Sequence, residues 1–132
     1  MSTAAPTRTT EKVALYRRVF TGLPSAYGTY NPATGRASVV KEPVSDAVIL
    51  AHLKGKQPYG MFLLVQERTS AVVVDFDEQN VEPVLALAHR SAHYGLPAHI
   101  ERSKSKGYHV WVFFENGGVP AAKARLVLRH IL

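Results

Sequence analysis

Apolar positions near the start of the chain recur at helical spacing. Val13, Tyr16, Val19 and Phe20 fall on one face, Thr10 can cap the run, and Gly22 and Pro24 end it, which predicts a helix from about Glu11 to Phe20. Before it, Met1 to Thr10 is rich in Ser, Thr, Ala and Pro and reads as a flexible arm with little to bury. Tyr27 to Tyr30 and Ala37 to Val40 flank the turn sequence Asn31-Pro32-Ala33-Thr34-Gly35, the pattern of a small hairpin. Ser45 and Asp46 can cap a second helix through Leu53, stopped by Lys54-Gly55-Lys56 before Pro58.

The second half of the chain is more regular. A strand is expected over Tyr59 to Val65, a polar turn around Gln66 to Ser70, and a β-branched strand over Ala71 to Val74 ending in Asp75-Phe76-Asp77. Val81 to Tyr94 has a helical period closed by Gly95-Leu96-Pro97, with Asp77 or Asn80 available as caps. Ala98 to Glu101 is a short strand, Ser103 to Gly107 a turn, and His109 to Phe114 an apolar strand. After the turn at Asn116-Gly117-Gly118, Pro120 opens a last helix that runs to Leu132. The apolar faces with Val84, Leu85, Leu87 and Ala88, and with Ala124, Leu126, Val127 and Leu128, are expected in the core. The order strand, strand, helix, strand, strand, helix describes an α+β fold, a mixed or antiparallel sheet with flanking helices. Residues 11–132 are read as one domain.

Composition narrows the setting. With 132 residues and 46% hydrophobic positions, the chain has the makings of a packed core. Cys is absent, which excludes disulfides and thiolate metal sites, and no apolar run approaches the length of a membrane span. A soluble, cytoplasmic protein without membrane association is expected. The formal charge of +6 favours polyanionic partners without requiring one.

Two runs carry the candidate chemistry. Asp75 and Asp77 alternate on a strand, so both carboxylates leave one face about 7 Å apart, at the end of four apolar residues that drive the strand into the core. Paired hard carboxylates at a sheet rim suit Mg²⁺ or Mn²⁺, although an Asp-x-Asp at a strand end also serves as a plain turn former. The second run, Arg102-Ser103-Lys104-Ser105-Lys106-Gly107-Tyr108-His109, offers cations, hydroxyl donors and a glycine that lets backbone approach an anion. His109 then enters an apolar strand, where its ring orientation would be fixed for donation to a phosphate oxygen. A basic hairpin turn followed by a strand-capping His is the plainer alternative. His89 and His93, one helical turn apart, have no third zinc ligand on that helix, and neither Ser103 nor Ser105 sits in the strand-turn-helix elbow of a serine hydrolase.

Together, Val72-Val73-Val74-Asp75-Phe76-Asp77 and Ser103 to Trp111 resemble the archaeo-eukaryotic primase, or primase-polymerase, superfamily. Ser103, Lys106, Gly107 and His109 are similar to the polymerase domain of bacterial end-joining ligases. The setting Gly95 to Ser103, with His109-Val110-Trp111-Val112-Phe113-Phe114 behind it, most resembles the primase domain of TOTE conflict systems. The resemblance implies an RRM-like core and template-directed transfer of nucleotides to DNA or RNA primers. It implies catalytic metals, Mg²⁺ or Mn²⁺, on Asp75 and Asp77, and the incoming triphosphate held by His109, with Arg102, Ser103, Ser105, Lys106 and Gly107 around its phosphates. A helicase or nuclease domain in the same or another chain is an expected partner, alongside nucleic acid and nucleoside triphosphates.

One element of the family pattern is missing: a third catalytic carboxylate on a later strand has no candidate between Glu115 and Leu132. On this reading the core is the N-terminal portion of the family's catalytic core, incomplete at its C-terminus, or it takes the missing carboxylate from another chain. Two other readings therefore stand beside the nucleotidyltransferase: a noncatalytic nucleotide- or nucleic-acid-binding module of the same fold, and a structural subunit of a replication or defence complex.

Overall fold

A computed structural model describes residues 7–104, 106–115 and 117–132. The described residues up to Leu63 form one compact unit and Leu64–Leu132 a second.

In the first unit, α1 spans Arg8–Val19, and its N-cap is Thr7, whose hydroxyl oxygen accepts from the Thr10 amide at 3.1 Å. The helix thus begins three residues before the expected start at Glu11, within the stretch read as an arm, because Thr7 rather than Thr10 satisfies the first free amide. Val13 is buried and Arg17 reaches from the last turn to Asp46 at 2.6 Å. The hairpin forms where the sequence predicts it: β1 (Tyr27–Tyr30) and β2 (Ala37–Val40) pair antiparallel with Tyr27 opposite Val40 and Tyr30 opposite Ala37. Asn31 Oδ1 accepts from the Ala33 amide inside the turn, and Gly35 takes a left-handed φ of 72°. Ser45 caps α2 (Asp46–Leu53), as expected, and Ile49 is its buried anchor. The strand expected over Tyr59 to Val65 is not continuous. Gly60 makes a single bridge to Gly28, the two glycines exchanging backbone hydrogen bonds of 2.7 and 2.8 Å.

The second unit opens with a tight hairpin of β3 (Leu64–Val65) and β4 (Arg68–Thr69), turned by Gln66 and Glu67 at φ 48° and 66°. Positive φ at two consecutive residues is the type I′ geometry favoured in two-residue hairpins, here met without glycine. β4 also pairs with β8 (Val119–Pro120), so the polar stretch expected to be only a turn supplies a strand. Pro120 caps α4 (Ala121–Ile131) rather than lying inside its first turn.

The sheet that matters for function has the order β5-β7-β6, from β5 (Ala71–Phe76), β6 (Ala98–Arg102) and β7 (Tyr108–Phe113), all antiparallel. The fold is α+β as expected, its strands divided among small antiparallel sheets rather than gathered into one. Alternation splits each strand between two faces. Val74, Phe76, Ala98, Tyr108 and Val110 lie on one face and pack against Val84 and Leu87 of α3 (Glu82–His93) and Ile131 of α4. The helices are less fully buried than their apolar content suggests. Leu85, Leu126 and Val127 are exposed, because only the stripes Val84/Leu87/Ser91 and Ala124/Ile131 face inward. Asn80 Oδ1, not Asp77, accepts from the Glu82 amide at the start of α3. Among the described residues, no helix is long and apolar enough to cross a membrane.

Candidate functional site

The other face of the same sheet carries the polar groups. In the register, Asp75 of β5 lies opposite His109 of β7, and His109 lies opposite Glu101 of β6. Three residues from three strands thus share one row across the sheet, with the imidazole in the middle. One row on, Val73, Trp111 and His99 are aligned in the same way.

Side-chain geometry follows this register. His109 Nδ1 is 2.7 Å from Glu101 Oε1, and its Nε2 is 3.5 Å from Asp75 Oδ1. Trp111 Nε1 donates to the same Glu101 oxygen at 3.2 Å. The Trp111 ring stacks on Phe113 with centroids 5.7 Å apart and planes 3° from parallel, and His99 leans on Phe113 at 5.6 Å. His109 is the most enclosed of the row, its side chain 33% exposed against 51% for Glu101 and 63% for Asp75. The row is therefore open to solvent at its two acids and restrained at its imidazole.

The Ser103 to Gly107 turn is fastened to this sheet. The Ser103 amide donates to the Gly107 carbonyl at 3.0 Å, closing the β6-β7 connection. Gly107 is buried with φ 90°, and a Cβ at this position would strike the carbonyl oxygen of Phe76 and crowd the Asp77 backbone. Only glycine allows the turn to settle against the end of the aspartate strand.

Of the residues singled out in the sequence, Asp75 and His109 come together directly. Asp77 is the first residue past β5 and is exposed, and a Cβ on Gly107 would come within 3.1 Å of its backbone. Ser103 is half-buried at the turn, with Lys104 and Lys106 exposed beside it. Arg102 is not in this group, since its register position opposite Tyr108 belongs to the other face of the sheet. Ser105 lies outside the described residues. The residue that sequence reasoning missed is Glu101. Its signal was present as alternation, a charged residue out of phase with Ala98 and Ile100, two positions before Ser103.

The match to a protein-family model decides the kinship: residues 34–132 fit the archaeo-eukaryotic primase domain of TOTE conflict systems. The chain belongs to this family. No curated protein matches it. The two runs on which the resemblance rested, at Asp75 to Asp77 and Ser103 to Trp111, both lie within the matched span of this primase domain.

Whether these residues suit a divalent metal can be tested on their donors. Among the described residues, no three His, Asp or Glu side chains converge closely enough to enclose an ion. Asp75 and Asp77 are nevertheless hard oxygen donors in an open position, which is the donor type Mg²⁺ takes when it keeps several of its waters and is held by one or two carboxylates. Glu101 adds a third acid to the face, with one oxygen already committed to His109 and Trp111. Asp75 and Asp77 thus offer the type of oxygen donor that Mg²⁺ or Mn²⁺ takes, and with the other described residues they form no closed cage.

Proposed function

We propose that this chain is a metal-dependent nucleotidyltransferase core, binding a nucleoside triphosphate at the rim where β5 ends and β7 begins and adding nucleotides to a primer on a template. The observation that carries the reading is the pairing of Asp75 with His109 across adjacent strands, with the glycine-pinned turn beside them. Asp75 and Asp77 would hold Mg²⁺ or Mn²⁺, which offsets the charge that builds on phosphate oxygens during in-line attack. His109, Ser103 and Lys106 surround the same rim and supply donors for the phosphate tail. The cationic excess of the chain suits a nucleic acid strand nearby.

A second reading, a binding module of the same fold without turnover, is favoured by one observation: the absence of a three-acid cluster among the described residues. Titrating the purified chain with a nucleoside triphosphate, with and without Mn²⁺, and assaying extension of a primed template separates the two. Metal-dependent binding with extension supports the transferase. Oligonucleotide binding that ignores metal, falls steeply with salt and gives no extension supports the module. Failure of the triphosphate to bind under any metal condition overturns the first reading.

A further inference from the structure

Glu101 stands on a strand edge with half its side chain in solvent, where an ion pair contributes little to stability. Yet one of its oxygens, Oε1, receives two ring nitrogens at once, His109 Nδ1 at 2.7 Å and Trp111 Nε1 at 3.2 Å. An ionised carboxylate only accepts, so the His109 proton in this contact sits on Nδ1, and the ring cannot flip without losing the bond. The two ends of the imidazole are held unequally. Nδ1 is at full hydrogen-bond distance from Glu101, while Nε2 stands 3.5 Å from Asp75, beyond a good bond. The loosely held end is the one facing the aspartate strand.

From this asymmetry we infer that Glu101 is the positioning residue for His109: it fixes Nδ1 as the anchored nitrogen and leaves Nε2 facing the nucleotide, where it donates to a phosphate oxygen when it too carries a proton. The phosphate part of this inference rests on the function proposed above, whereas the anchoring of the ring does not. Trp111, braced on Phe113, shares the anchor and ties the imidazole to the aromatic row behind it. Removal of a group that orients a ligand-binding His is expected to weaken the ligand by about 10- to 100-fold, by analogy with the partners that orient metal-binding histidines.

The test uses the full chain labelled with ¹⁵N-histidine, without nucleotide and at one fixed pH. Wild type should show a proton held on His109 Nδ1 and a hydrogen-bonded Trp111 indole proton. Glu101→Ala should lose both signatures with an unchanged circular dichroism spectrum, and Glu101→Gln, which keeps an acceptor oxygen, should restore the ring signature. A His109 signal unaltered in Glu101→Ala overturns the inference. In a second arm, Mn²⁺-dependent triphosphate affinity should fall in Glu101→Ala but fall no further when Glu101→Ala is added to His109→Ala. Losses that simply add would mean that Glu101 acts on its own. If wild type binds no triphosphate, the proposed function fails, and the ring signatures alone decide the anchoring role.

Discussion

Gly107 lies with its Cα against the carbonyl of Phe76, in a left-handed conformation of φ 90°. The contact joins the basic turn to the strand that carries Asp75, so two sequence runs separated by a helix and a strand meet at one rim. A Gly107→Ala variant must both strain the backbone and push the turn off that carbonyl. Strain alone at such a position costs on the order of 1–3 kcal/mol, and the collision adds to it. Urea unfolding should show a loss of at least that size, and triphosphate binding should fall with it. A variant of wild-type stability would mean that the turn is free of the aspartate strand.

Asp75→Ala and Asp77→Ala act at exposed positions, so each should leave stability within about 0.5 kcal/mol of wild type. Together they should abolish Mn²⁺-dependent binding of a nucleoside triphosphate, read by calorimetry. Affinity that survives the double change would place the metal elsewhere.

His109→Ala should weaken a triphosphate far more than the corresponding nucleoside, because the imidazole addresses the phosphate tail and not the base. Loss of one charge-assisted hydrogen bond corresponds to about 1.5–3 kcal/mol, or roughly tenfold or more in affinity. Equal losses for both ligands would assign the ring a packing role.

Tyr59 supplies a pH-dependent prediction away from the site. Burial pushes its phenol above the ordinary value of 10.0, partly countered by the Arg17 guanidinium and reinforced by Tyr27. A group whose folded pKa is raised keeps its full contribution to stability below the unfolded value and loses it as pH climbs toward the folded one. Above pH 10.0, wild type should therefore lose stability more steeply than Tyr59→Phe, measured as the urea midpoint against pH. Parallel curves for the two proteins would remove Tyr59 from the alkaline transition.

Local chemistry made much of this architecture legible. The Asn31 to Gly35 turn fixes its hairpin, Ser45 announces α2, and the β-branched valine run before Asp75 reads as a strand. The start of α1 was not legible, because Thr7 and Thr10 are equally good caps and only the folded backbone chooses between them. The Gln66-Glu67 turn carries no glycine, asparagine or aspartate to mark its left-handed geometry. Leu126 and Val127 read as core because a helical stripe in the sequence does not reveal which residues at its margin meet the sheet. In the site, Asp75 and His109 were visible as strand-borne polar residues, but Glu101 gains its meaning from the β6-β7 register, and Arg102 leaves the group for the same reason. Register belongs to the pairing of strands and is not written in either strand alone.

The order β5-β7-β6 has a dynamic corollary. The strand bearing the imidazole is hydrogen-bonded along both sides, while each acid rides on a strand laced to it from one side only. Amide exchange should accordingly be slowest through the middle strand and quicker in its flankers. On the function proposed above, the Asp75 backbone would yield to an arriving cation more readily than the histidine backbone.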